Sequence, residues 1–209
     1  MSANTSRSIL DAFTIFPFAI VLALALAEAF KLVMVEEKSR FILWPKLYAL
    51  ASFLLLILPF YQGMNRYLLL TYGEQAELPR PHSIFLIIDG CVFMIQSALF
   101  FAMSRTLGVE VWKRFYWVVF ALLMLDSAWG LTVRMHSHTA DTPLIPPWMW
   151  LNIATGAFIL LLIGYGRFLR SPHLPAAIGT LAMLLRTAVD YGISWNFYFP
   201  TSPPPSPAG

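Results

Sequence analysis

Eight polar side chains interrupt stretches that are otherwise apolar: Gln62, Asn65, Arg66, Asp89, Gln96, Asp126, Arg186 and Asp190. Their spacing predicts that they act in groups. Arg186 and Asp190 are four apart, on one face of a helix and able to pair. Gln62, Asn65 and Arg66 share a face, and Asp89 shares one with Gln96 two turns on. Asp126 shares a face with Trp129 and Gly130, where glycine lets a neighbouring helix or a ligand come close. Pro59 stands one turn before the first polar group and leaves the Leu55 carbonyl without its normal donor, which predicts a kink.

Three carboxylates, Asp89, Asp126 and Asp190, face two guanidinium groups, Arg66 and Arg186. In a low dielectric the surplus carboxyl has to be balanced by a proton, a cation or a basic ligand. That imbalance is the chemical handle the sequence offers, and it points to a ligand- or ion-binding site. The competing reading is a satisfied polar network that glues helices together.

Other candidates are weaker. His136, His138 and Asp141, with His82 nearby in the expected topology, carry metal-ligating atoms, but H-x-H in a loop is a poor zinc signature. The metal therefore stays unassigned. No histidine lies mid-helix, which argues against haem, and no cofactor is specified by these residues. The single cysteine, Cys91, excludes an intramolecular disulfide and is expected to be a small packing residue. Walker, zincin, nucleophile-elbow and dinucleotide-binding motifs are all missing. Glu28 and Lys31, three apart, read as a local pair with the lysine reaching toward headgroups.

The elements that hold these residues follow from composition. Apolar residues make up 58% of the 209 and charged residues 12%, against about 45–50% and about 25% in soluble domains. Lipid must therefore be the solvent for most side chains. The formal charge of +3 comes from basic residues between apolar runs, which is how membrane proteins set orientation, so nucleic acid is not an expected partner. Runs long enough to span a bilayer cover residues 9–35, 43–72, 83–107, 112–134, 148–169 and 174–197. The predicted fold is all-α: a polytopic membrane bundle of about six transmembrane helices, forming one domain over residues 1–200. The breaks are short, so consecutive helices are expected to be antiparallel neighbours. Residues 201–209, rich in proline, cannot hold a helix and form a predicted disordered tail. Ala25-Leu26-Ala27 resembles a signal-peptide cleavage site, but the apolar run continues past it to Val35, which predicts an uncleaved helix.

Orientation follows from charge. Nine basic residues (Lys31, Lys38, Arg40, Lys46, Arg105, Lys113, Arg114, Arg167 and Arg170) fall on one side, and four (Arg7, Arg66, Arg80 and Arg134) on the other. With basic loops cytoplasmic, both termini are expected outside. Trp112, Trp117, Trp148, Trp150 and Trp195 are expected at headgroup depth. In this topology the eight polar residues concentrate in the outer half of the membrane. The location expected is a multi-pass membrane protein, of the inner membrane in a bacterium.

The function these features favour is a small transporter, channel or ligand-binding membrane protein. The alternatives are a non-catalytic subunit, sensor or assembly factor of a membrane complex, and a membrane-embedded enzyme acting on a lipid-like substrate. The expected partners are the lipid bilayer, and a second copy of the chain or a membrane-complex partner.

Overall fold

The computed structural model describes residues 16–34, 40–73, 80–107, 111–136, 144–166, 168 and 173–199. Six long helices account for nearly all of them: α1 (Phe16–Met34), α2 (Arg40–Leu68), α3 (Arg80–Thr106), α4 (Val111–His136), α5 (Ile145–Tyr165) and α6 (His173–Tyr198). Each contains a stretch long and apolar enough to cross a membrane. At 1.5 Å per residue even the 19-residue α1 reaches about 29 Å, close to the thickness of a hydrocarbon core. The chain is an all-α, multi-pass membrane bundle. The proline-rich tail expected at 201–209, residues 9–15 of the first run, and most of the histidine loop lie outside the described residues.

Apolar side chains cover both faces of most helices, so burial rather than hydrophobicity tells inside from outside. On α1 the buried stripe is Phe18, Leu22, Ala25, Ala29 and Val33, while Ile20, Leu24 and Met34 point outward. Spacings of three and four residues put that stripe on one face. Its two alanines let another helix come near. α1 packs chiefly on α3, and α2 chiefly on α6, with only slight contact between α1 and α2 or between α2 and α3. The expectation that all consecutive helices are neighbours therefore holds for α3 to α6 but fails for the first two pairs. In lipid, outward apolar surface is as comfortable as inward, so a short loop does not compel its two helices to pack.

Around the bundle the order is α1, α3, α4, α5, α6 and α2, and α2 also touches α3 and α4. Of the six spans, α2 is the most enclosed. Its two prolines, Pro45 and Pro59, each free a backbone carbonyl one turn earlier. The carbonyl freed by Pro59 is that of Leu55, and Thr187 Oγ1 of α6 donates to it at 2.8 Å. A second joint lies further along the same pair of helices. Ser52 Oγ meets Thr180 Oγ1 at 3.0 Å and Tyr116 Oη at 3.1 Å. Thr180 Oγ1 donates to Tyr48 O at 2.8 Å, and Tyr116 Oη to Ala176 O at 3.1 Å. Gly179 makes room for Tyr116, whose phenol end occupies the place a side chain would need.

Several residues behave differently from expectation. α5 begins at Ile145, so Pro146 and Pro147 form its first turn, where a missing N–H costs nothing. Trp148 packs inward on α6: its ring lies against Phe197 at 5.0 Å, and its indole N–H donates to Ser194 Oγ at 2.5 Å. Trp112 is buried, lying across Gly166, whereas Trp117, Trp150 and Trp195 are exposed. Cys91 is also exposed, on the outer face of α3, and is not a packing residue.

Candidate functional site

Four helices bring polar side chains to one cavity. α4 supplies Asp126, and α3 supplies Gln96, whose Nε2 donates to Asp126 Oδ1 at 2.9 Å. α5 supplies Asn152, whose Nδ2 donates to Asp126 Oδ2 at 2.6 Å. The same amide accepts from α6: Arg186 Nη2 and Nε donate to Asn152 Oδ1 at 2.8 and 3.2 Å. Arg186 Nη1 reaches Asp190 Oδ2 at 3.4 Å, the four-residue pair the spacing predicts, and the guanidinium lies 5.5 Å from the centre of the Phe60 ring. Tyr198 Oη donates to Asp190 Oδ1 at 3.1 Å. One chain of contacts thus runs Gln96–Asp126–Asn152–Arg186–Asp190–Tyr198 across four helices.

Local backbone geometry completes it. Residues eight apart, such as Asp190 and Tyr198, are about 80° apart around a straight helix. α6 departs from helical angles at Ser194 (φ −115°, ψ 15°), and this bend accompanies the return of Tyr198 to Asp190. Asn152 is buried, and the Thr155 and Gly156 that follow serve other ends. Thr155 Oγ1 bonds its own helix at Leu151 O, and Gly156 lets Met124 and Phe120 of α4 lie close.

The cavity contains about 470 Å³ of empty space, counting its mouth. Asp126, Asp190, Arg186, Gln96 and Asn152 share its lining with the rings of Phe60, Tyr67, Phe93, Trp129, Trp148 and Tyr198. A few convergent polar groups set in aromatic walls is the usual make-up of a small-molecule pocket.

Asp89 does not line the cavity. It sits behind the wall, where Tyr67 Oη and Tyr72 Oη donate to Oδ2 at 3.0 and 2.7 Å and Trp129 Nε1 donates to Oδ1 at 2.8 Å. Tyr67 and Trp129 both belong to the lining, so Asp89 fixes two of its walls. Tyr67 and Tyr72 are five apart, which in an α-helix would turn them about 140° from each other. The end of α2 passes into a π-turn, Leu69–Gly73, whose wider winding suits two tyrosines on one carboxylate.

The remaining predicted residues lie elsewhere. Gln62 Oε1 accepts from Tyr191 Oη of α6 at 2.6 Å. Neither it, Asn65 nor Arg66 is part of the lining, to which α2 presents Pro59, Phe60, Gly63, Met64 and Tyr67. Asn65 Oδ1 and Arg66 Nε are buried with no hydrogen-bond partner among the described residues. Residue types and spacing single out Gln96, Asp126, Arg186 and Asp190. In sequence Asn152, with Thr155 and Gly156, makes no more than a small polar stripe at the start of the fifth helix. The tyrosines and tryptophans carried no distinguishing signal, because aromatic residues are common throughout the chain. Among the described residues no group of three potential metal ligands stands together, and His138 and Asp141 lie outside them. Compared with known proteins, the chain matches no family model, no curated protein and no solved structure.

Proposed function

We propose that this membrane bundle binds a small solute in the cavity between α2, α3, α4, α5 and α6, and works as a small transporter, channel or ligand-binding membrane protein. The observation that carries the proposal is the meeting of Asp126, Arg186 and Asp190, from two helices, at a partly open space that Gln96 and Asn152 bridge from two more. Helix-to-helix glue alone needs no cavity. Charged groups inside a membrane protein characteristically mark ligand or ion paths. In this reading Gln96, Asp126, Asn152, Arg186 and Asp190 contact the solute, Asp89 positions the aromatic wall, and Gln62, Asn65 and Arg66 support α2 from its other face. The charge bias of the loops supports a cavity in the outer half of the bilayer, with both termini outside.

The test is access from water. Gly63 lines the cavity, and a side chain there would meet the Tyr198 hydroxyl at an ordinary 3.6 Å, so Gly63→Cys is tolerable. In a Cys91→Ser background it should react with a membrane-impermeant maleimide applied to right-side-out cells. Native Cys91, exposed on the lipid side of α3, should not. A Gly63→Cys thiol as inert as Cys91 from both sides, in right-side-out cells and in inside-out vesicles, would overturn the proposal.

A further inference from the structure

The charges around the cavity also select among solutes, granted the solute-binding reading above. Among the described residues Arg186 is the one cation in the lining, and it already faces inward. Nε and Nη2 engage Asn152, Nη1 engages Asp190, and Phe60 covers the guanidinium. Among the described residues the hydrogen-bond donors to Asp126 are neutral, the amides of Gln96 and Asn152, and Arg186 acts on it only through space. Two carboxylates share one guanidinium, which leaves one negative charge in excess among the described lining residues. That charge opens onto a space walled largely by aromatic rings.

We infer that the solute is a small organic monocation, an amine whose ammonium group sits at Asp126 and whose apolar body lies against Trp129, Trp148 and Phe93. Aromatic faces attract ammonium groups and apolar bodies together. Calcium takes six to eight oxygen ligands, several of them carboxylate or carbonyl oxygens of the protein. Here the oxygens of Asp126 and Asp190 already accept bonds from amides, the guanidinium and a phenol. An anion would find Arg186 engaged and Asp126 opposing it. The space, about 470 Å³ counting its mouth, is of the scale of a single-ring amine rather than of a whole lipid.

The experiment uses the full chain in lipid nanodiscs, titrated with 2-phenylethylamine, 2-phenylethanol and phenylacetate, with tryptophan emission as the readout. The amine should quench saturably, while the alcohol and the acid should bind at least roughly tenfold more weakly, the worth of one charge-assisted contact. Asp126→Asn should lose the preference for the amine, and Asp126→Glu should keep it, with circular dichroism confirming helix content in both. The three-ligand comparison on the native chain needs no variant to fold. Phenylacetate or phenylethanol binding as tightly as the amine would overturn the charge assignment but leave a solute cavity standing. An amine preference that survives Asp126→Asn would overturn the placement at Asp126. No binding of any of the three, with the Gly63→Cys thiol reactive, would overturn the solute class alone. No binding with that thiol inert would remove the cavity reading as well.

Discussion

Buried side chains that look alike in sequence do different work here, and substitutions separate them. Asp89 accepts from two phenols and an indole and has no cation among its hydrogen-bond partners. If acceptor capacity is its role, Asp89→Asn should be mild. The carbonyl oxygen can still take the indole N–H, and tyrosine hydroxyls can rotate to accept from the amide. Asp89→Leu orphans all three donors and should cost about 2–4 kcal/mol, with a shift in Trp129 emission, measured by thermal unfolding in detergent. An Asp89→Asn variant as unstable as Asp89→Leu would mean that the charge itself is needed. Thr187 offers a cleaner cycle. Thr187→Val strips the donor from the Leu55 carbonyl that Pro59 leaves free, at an expected cost of about 0.5–1.5 kcal/mol. Pro59→Ala restores an N–H four residues after Leu55, so in that background Thr187→Val should cost clearly less. Equal costs in both backgrounds would show that the threonine does not cap the freed carbonyl.

Helix existence was plain in the sequence, because lipid demands about 20 apolar residues per crossing and the six runs are separated by charges, glycine and proline. Helix pairing was not. Apolar faces carry no label for their partner when lipid is an equally good neighbour, and α1 on α3 or α2 on α6 could be assigned only from the folded bundle. What decides such pairings is small residues at close approaches, and glycine identity alone does not reveal them. Gly179 has the Tyr116 phenol against it, whereas Gly192 has nothing within 4 Å of where a side chain would begin. Gly179→Ala should push the ring out of its contacts with Ser52 and the Ala176 carbonyl and destabilise by about 1–3 kcal/mol. Gly192→Ala should be neutral or stabilising by up to about 1 kcal/mol, from helix propensity. The pair shares a helix and a substitution, so a comparison of melting curves isolates packing. Equal effects would mean that the α2–α4–α6 joint does not depend on that close approach.

For the whole molecule, the sequence located the costly residues but not their company. Asp126, Arg186 and Asp190 were legible because charge in an apolar run is rare. Tyr72 and Tyr198 were hidden because a π-turn and a bend at Ser194 bring them to their carboxylates, and neither irregularity has a residue signature strong enough to read. The side of the membrane from which the cavity opens rests on the loop charges. Exposed Arg105, Lys113 and Arg114 gather at the turn between α3 and α4, and exposed Lys31 lies near the end of α1. An even number of crossings returns the chain to its starting side, so a single reporter at the C-terminus reads the orientation of the whole bundle. In a bacterial host, C-terminal alkaline phosphatase should be active and C-terminal green fluorescent protein dark, because the first requires export and the second requires the cytoplasm. Replacing Lys113 and Arg114 with Gln should weaken the contrast, since basic residues close to helix ends hold their loop inside. A bright fluorescent fusion with inactive phosphatase would invert the bundle and turn the mouth at Asp126 and Asp190 toward the cytoplasm. The contacts among the cavity's side chains would then be unchanged, and only the compartment supplying the solute would differ.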